Sequence, residues 1–380
     1  MVIDMHTSSQ SPKRYLILTG LIGWNLVLLF VLGAALVSQA QQPRITNVGL
    51  RDSPSFYHGM APVTGTSVFT YYFPLVFNNY TPPTWTFLGP DDVPIRQVAV
   101  AETATLYAVL DFQVPITTSI YKSDNDGLSW TPSSSGLLGQ VQSLYVHPLT
   151  PTLLLAGTLT GGSGIHHSDD GGQHWSDAGL DPFIRVVAVH PTTPTLWLAA
   201  SYNSLIFGSA YVYRTENAGA SWETVIPTTT VIDSFAFDLD DPNRAYACAW
   251  SGFLSSSDAG LTWSYGGLDS CGELMTDPYT HTILYAVNGS GVLKTEDKGL
   301  SWTQIFTGNY SYWALAVDQL KPGTIYAATL DELFRSVDAG HSWQQLPLPI
   351  ELGPVRISDL AVGRSGKLFM ATDHGVWSFQ

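Results

Sequence analysis

An eight-residue pattern that recurs six times constrains this chain more than any other feature of its sequence. The pattern reads Ser/Thr-x-Asp/Asn-x-Gly-x-x-Trp and stands at residues 123–130, 168–175, 215–222, 256–263, 295–302 and 336–343. Successive copies place their tryptophans 39 to 47 residues apart. A period of about 40 residues is the signature of a fold built from repeated supersecondary units, so we predict a repeat protein.

Each repeat contains four short segments that are typical of β-strands. Two apolar segments precede each pattern, as in residues 187–189 and 198–200, and turn formers such as His190 and Pro191 separate them. A third segment leads into the pattern, and the tryptophan of the pattern opens a fourth. Short apolar runs divided by Gly, Pro, Asn and Asp predict antiparallel strands joined by tight turns. Four such strands in about 40 residues predict one blade of a β-propeller.

The two ends of the repeat region predict how the ring closes. The apolar pairs number seven, one more than the eight-residue patterns. The last repeat stops after its third segment, at residues 375–379, whereas residues 85–88 (Trp85 to Leu88) precede the first pair like a fourth segment. Pairing these ends would complete the last blade and leave no unpaired edge. We therefore predict an all-β fold, a seven-bladed β-propeller of four-stranded antiparallel blades over residues 84–380.

Every fixed position of the pattern has a structural task in a hairpin turn. The first hydroxyl and the third-position carboxylate or amide can bond the turn backbone, the glycine allows a positive φ, and the tryptophan buries a large ring. Six near-equivalent copies around a ring cannot form one active site, so we interpret them as structural. The residues assigned this role are Asn125, Asp170, Asn217, Asp258, Asp297 and Asp338, with Trp130, Trp175, Trp222, Trp263, Trp302 and Trp343.

The pattern resembles the Asp-box, or BNR repeat, of the sialidase, sortilin and YVTN-like propellers. The resemblance covers residues 84–380. In its number of blades, the predicted fold is similar to the photosystem II assembly factors. It implies that the box is structural and lies away from the ligand face. Since that superfamily contains sialidases, xyloglucanases, receptors and assembly factors, the resemblance does not fix a function.

The first 83 residues predict export. Residues 1–40 combine Lys13 and Arg14, an uncharged apolar run at residues 15–37, and a small-x-small cleavage pattern at residues 38–40. These features are typical of a signal peptide, and the run is also long enough for a membrane anchor. Residues 41–83 are rich in Pro, Ser, Thr and Gly and predict a linker. We expect an extracellular or cell-envelope protein, attached to the membrane if the segment is not cleaved.

The net charge and the cysteine content argue against several classes of partner and cofactor. The formal net charge is −15, which argues against nucleic acid and anionic lipid. The two cysteines have no metal-binding spacing, and we predict no metal site and no cofactor. Cys248 and Cys271 fall on neighbouring blades near the same face, where a disulfide is our hypothesis for an exported chain. We expect a monomer.

The strand order predicts which face binds a ligand. The eight-residue turns and the turns inside each apolar pair share one side, so the loops of varying length lie on the other, where scaffolds usually carry function. The candidate ligand-binding residues there are Trp313, Tyr312, Tyr310, Trp250, Tyr202, Arg96, Arg185, Arg356, Asp233 and Glu273.

We predict a non-catalytic scaffold that binds a protein or a glycan. Three arginines resemble the carboxylate clamp of sialidases, but seven blades and the order Pro94-Ile95-Arg96 depart from that family. Two alternatives stay open: a sialidase- or xyloglucanase-like glycoside hydrolase, and an assembly factor for a membrane protein complex. No catalytic residue is assigned.

Overall fold

The structure is a computed structural model that describes residues 84–90, 93–101, 104–111, 119–159, 164–202, 210–228, 230–308, 314–349 and 355–380. The propeller lies in one compact unit that spans residues 83–380. The predicted signal or anchor segment and the linker lie outside the described residues. Among the residues described, no helix is long and apolar enough to cross a bilayer.

The described residues form 28 strands in seven four-stranded antiparallel sheets, which confirms the predicted fold. The first three blades are β2 Ile95–Val100, β3 Leu106–Leu110, β4 Ile120–Ser123 and β5 Thr131–Pro132; β6 Val141–Val146, β7 Leu154–Thr158, β8 Gly164–Ser168 and β9 Ser176–Asp177; β10 Ile184–Val189, β11 Trp197–Ser201, β12 Ala210–Thr215 and β13 Glu223–Thr228. The next three are β14 Ile232–Phe237, β15 Ala245–Ala249, β16 Gly252–Ser256 and β17 Ser264–Tyr265; β18 Leu274–Thr276, β19 Leu284–Asn288, β20 Gly291–Thr295 and β21 Thr303–Thr307; β22 Ala314–Val317, β23 Ile325–Ala328, β24 Leu333–Ser336 and β25 Gln344–Leu346. The seventh is β26 Ile357–Val362, β27 Leu368–Thr372, β28 Gly375–Phe379 and β1 Trp85–Gly89.

The ring closes through β1, as the sequence predicts. This strand pairs antiparallel with β28, placing Trp85 opposite Phe379 and Phe87 opposite Trp377. Both pairs bring their rings together, with centroids 5.0 and 5.1 Å apart. The first strands of neighbouring blades contact each other all the way round the ring, so they enclose a central channel.

The hydrophobic core lies between the blades. The second strand of a blade is buried along its whole length in six blades, because neighbouring sheets cover both of its faces. Each core cluster joins residues of adjacent blades; Tyr326 and Leu333 of the sixth, for example, pack with Leu368 and Met370 of the seventh. Burial on both faces explains why these strands read as continuous apolar runs.

The eight-residue patterns form the turns between third and fourth strands. In the fourth blade, the Ser256 hydroxyl accepts the Gly260 N–H at 2.8 Å, and Asp258 accepts the backbone N–H of Thr262 at 2.8 Å. The fourth position, which the sequence leaves free, also takes a left-handed conformation, with φ of 55° at Ala259 before 88° at Gly260. The indole N–H of Trp175 donates to the Ser133 carbonyl of the preceding blade. Trp263 departs from this arrangement and bonds its own turn.

Candidate binding site at the channel mouth

β-Bulges shape the end of the ring at which the first strands begin, which we call the channel mouth. In five blades one residue near the start of the first strand has no partner on the second strand. A bulge bends its strand and redirects a side chain. The bulged residues are Arg96, Gln142, Arg185, Asp233 and Ser358.

Arg185, Asp233 and Trp250 form one cluster across the third and fourth blades. The guanidinium of Arg185 donates to Asp233 Oδ1 from Nε at 2.7 Å and lies 2.5 Å from it through Nη2. The same guanidinium lies 6.0 Å from the centre of the Trp250 ring. Burial raises the pKa of Asp233, and the charge of Arg185 with hydrogen bonds from Arg185 and Trp250 opposes this rise. Trp250 is nevertheless 59% exposed, so its ring offers a free apolar surface beside a charged pair.

Arg96 and Arg356 approach this cluster from the first and seventh blades. Burial lowers the pKa of Arg96, Asp111 raises it, and the positive charges of Arg185 and Arg356 lower it further. Arg96 lies 3.8 Å from Asp111 and donates from Nε to the Gln142 carbonyl. The side chain of Arg356 is exposed. We call Arg96, Arg185 and Arg356 the arginine cluster; their mutual repulsion favours a bound anion.

Two carboxylates line the channel next to the mouth. Glu273 Oε2 accepts the Leu315 N–H at 2.7 Å, and Asp359 Oδ2 accepts the Val98 N–H at 2.9 Å. Each bond therefore joins one blade to the first strand of the next. Burial raises the pKa of Glu273 well above its usual value, and the charge of Asp359 adds to the rise. Burial also raises the pKa of Asp359, to about 7. We call Glu273 and Asp359 the channel carboxylates.

The structure brings six of the ten predicted ligand residues into this region. Arg96, Arg185, Arg356, Asp233 and Trp250 lie at the mouth, and Glu273 lies in the channel. Tyr202 follows β11, is half-buried, and donates its backbone N–H to the Phe183 carbonyl at 2.9 Å. Trp313, Tyr312 and Tyr310 lie outside the described residues.

A disulfide braces the same region. Cys248 and Cys271 are joined, and both side chains are buried. Cys248 precedes Trp250 by two residues and Cys271 precedes Glu273 by two, so the bond ties the fourth and fifth blades directly beneath two site residues. It restricts the relative movement of the segments that carry them.

Sequence reasoning missed Asp359 and Gln97. Both occupy the position just before the apolar triplet of a first strand, where Glu273 also stands. Gln97 bonds the backbone of Leu144 in the next blade through both ends of its amide. A polar residue at this point of an otherwise apolar strand was the available signal, because an inner strand between two blades has little other use for it. No group of three or more metal-binding side chains occurs among the described residues.

Comparisons with known proteins agree on the fold. No protein-family model matches the chain, and no curated protein sequence matches it. Among solved structures, the chain is similar to a GH74 xyloglucanase from Xanthomonas campestris, with 18% identity and a TM-score of 0.63 over 78% of this chain and 53% of that one. It is also similar to YCF48 bound to a D1 peptide, with 16% identity and a TM-score of 0.59 over 80% of this chain and 97% of that one.

A third similar structure is a streptogramin B lyase, with 13% identity and a TM-score of 0.61 over 78% of this chain and 97% of that one. The chain spans about half the length of the two GH74 enzymes that it matches, the xyloglucanase and an enzyme from Niastella koreensis. Identities this low establish architecture and leave activity open. The chain is a seven-bladed β-propeller with four-stranded antiparallel blades.

Proposed function

We propose that this chain is an exported, non-catalytic Asp-box propeller whose channel mouth binds an acidic segment of a partner protein. On this proposal residues 1–40 direct export or anchor the chain at the cell envelope, and residues 41–83 hold the propeller away from the membrane. The acidic net charge makes nucleic acid an unsuitable partner. One propeller as a monomer is sufficient for this role.

The observation that carries the proposal is the exposed ring of Trp250 beside the arginine cluster. The Trp250 side chain is 59% exposed beside these charges, and Trp and Arg are the residues that most often dominate binding energy. An acidic segment would place carboxylates on the arginines and apolar atoms on the indole. The disulfide beneath Trp250 pre-organises this surface, which lowers the entropic cost of binding.

The fold likeness to YCF48 favours a peptide over a sugar. That propeller was solved with a D1 peptide, and the match spans 97% of its chain. A single propeller of similar size is therefore able to hold a peptide. An assembly factor that binds a segment of a membrane protein is the form of this proposal that agrees with an envelope location.

The test measures binding of labelled acidic peptides to the full-length chain in detergent. A matched peptide set carries Asn and Gln in place of Asp and Glu. We expect Trp250→Ala and Arg356→Gln to weaken acidic-peptide binding about tenfold each. Tyr265→Ala is the control for the tryptophan, because Tyr265 is 62% exposed on an outer strand. Arg364→Gln is the control for the arginine, because Arg364 follows the opposite end of β26.

Equal binding of both peptide sets, or equal losses in the variants and their controls, would contradict the proposal. Binding of oligosaccharides in place of peptides, with the same loss in Trp250→Ala, would assign the mouth to glycans. Each outcome is read from dissociation constants at fixed salt, since arginine contacts weaken as salt screens them.

A glycoside hydrolase is the second candidate. The channel carboxylates favour it, because raised pKa values are typical of general acids and two carboxyl groups are required. The match covers 53% of the xyloglucanase chain, so the likeness to that enzyme extends to about half of it. Hydrolysis of xyloglucan or a sialoside that is lost in Glu273→Gln would replace the binding proposal.

A further inference from the structure

The channel carboxylates and the arginine cluster are parts of one electrostatic system. Asp359 bonds the backbone of Val98, which lies two residues beyond Arg96 on β2. The charge of Asp359 raises the pKa of Arg96, and Arg96 in turn lowers that of Asp359. A change in the charge of Asp359 in the channel therefore changes the electrostatic environment of Arg96 at the mouth.

The geometry places Asp359 where its ionisation is costly. Glu273 stands on the fifth blade and Asp359 on the seventh, while the blade between them presents the small, buried Ala314 at the equivalent position. Each carboxylate receives a backbone N–H from the next blade, and the negative charge of Asp359 acts on Glu273. For Asp359 it is burial in a low dielectric that favours the protonated acid.

Among the residues that the structure describes, few other charged groups surround Asp359. Its own strand β26 is preceded by Arg356, and β2 contributes Arg96. Strands β22 and β27, which flank β26, carry no titratable side chain, and β23, which also contacts β26, carries Tyr326 alone. Beyond them Glu273 faces it across Ala314, and Asp111 lies on the far side of Arg96. Asp359 is therefore a group beside Arg96 whose charge changes near neutral pH.

We propose that protonation of Asp359 switches anion binding at the channel mouth on, and that its ionisation switches it off. The inference rests on the proposed function, since it requires an anion on the arginine cluster. When Asp359 is neutral, Arg96 acts on the ligand with its full charge. When Asp359 is ionised, it competes with the ligand for Arg96 and repels it. Affinity then rises as pH falls through neutrality, and the anion takes up protons as it binds.

The test follows sulfate binding to the full-length chain by calorimetry. Sulfate keeps its charge across the range, so a pH dependence reports the protein. We expect affinity to be about tenfold higher at about pH 6 than at about pH 8. Near neutrality the heat should vary with the buffer's ionisation enthalpy in the direction of proton uptake. Asp359→Asn should bind tightly at every pH, because asparagine keeps the acceptor for Val98 without the charge.

Asp373→Asn is the matched control. Asp373 accepts the backbone N–H of Arg356 at 2.9 Å and its side chain is 39% exposed, so Asp373→Asn should leave the pH slope in place. The wild-type proton uptake tests the inference even if Asp359→Asn fails to fold. Sulfate affinity that is independent of pH, or an unchanged slope in Asp359→Asn, overturns the inference and leaves the proposed function intact. Absence of sulfate binding also overturns it, and the proposed function falls only if acidic peptides fail to bind as well.

Discussion

The two faces of the ring use the same residue types for opposite purposes. On the eight-residue turns, carboxylates are exposed and saturated with hydrogen bonds; Asp338, for example, accepts the backbone N–H and the hydroxyl of Ser342. Bonds from Ser342 lower the pKa of Asp338 to about 2. At the mouth, burial raises the pKa of Asp359 to about 7. Hydrogen bonds that favour the charged form keep Asp338 ionised as a structural group, whereas burial makes Asp359 a group that titrates near neutral pH.

Buried polar residues also stabilise the face of the ring that carries the eight-residue turns, which we call the turn face. In five blades a buried polar residue follows the first strand and bonds the turn behind it, as Asp318 does by accepting the N–H groups of Leu320 and Lys321. These residues are His147, His190, Asp238, Asp277 and Asp318. Repetition from blade to blade indicates a structural role, whereas the residues at the mouth vary around the ring.

The largest expected effect is on the turn face, in Gly299→Ala. Gly299 has a φ of 91°, and a Cβ there would lie 2.2 Å from Cε1 of the buried Phe253. Backbone strain and overpacking together predict a loss of about 3 to 5 kcal/mol of unfolding free energy. Gly289→Ala, in the turn between β19 and β20, is the control, because nothing lies within 4 Å of its Cβ. Chemical denaturation measures both, and equal losses would refute the contrast.

The next effect, the change of folding stability with pH, has opposite signs for Asp359 at the mouth and for Asp338 on the turn face. Asp359 holds its proton in the folded state up to about pH 7, whereas the unfolded chain loses it near pH 4, so folding stability falls as pH rises through this window. Asp359→Asn should therefore gain stability over the wild type across that window, reaching about 2 kcal/mol above neutrality.

Asp338 behaves in the reverse sense. Its lowered pKa stabilises the fold above about pH 4, and this contribution is lost as pH falls towards about 2. Asp338→Asn should be less stable than the wild type at neutral pH and equal to it in strong acid. Melting temperatures measured across pH test both variants, and shifts of the same sign would remove the distinction between the faces.

The smallest stability effect is expected at the binding surface. Trp250→Ala removes a ring that is 59% exposed, so the unfolding free energy should change by less than about 1 kcal/mol while peptide binding falls. Trp175→Ala, in an eight-residue turn, is the counterpart, because Trp175 is 5% exposed and its loss should cost about 3 kcal/mol or more. A large stability loss in Trp250→Ala would make that ring structural.

The sequence determined the blade count, the strand order and the closure of the ring. These follow from local information, since strand and turn patterns within about 40 residues define a blade and the number of copies defines the ring. The unfinished last repeat and Trp85 were enough to predict the pairing of β1 with β28. The candidate residues at the mouth followed from the same strand order, because all first strands begin on one side.

Only the tertiary structure decided how those residues act on each other. Arg185 bonds Asp233, which lies 48 residues away in the sequence, and the Val98 N–H bonds Asp359, which lies 261 residues away. Both hydrogen bonds cross from one blade to the next. Bulges that redirect side chains, and the small Ala314 between two acids, have no signature within a single repeat. Charge interactions depend on distance and burial, which the ring geometry sets. The sequence therefore placed Glu273 and the arginines at the same end of the ring, and the fold added Asp359 and the interaction between these groups.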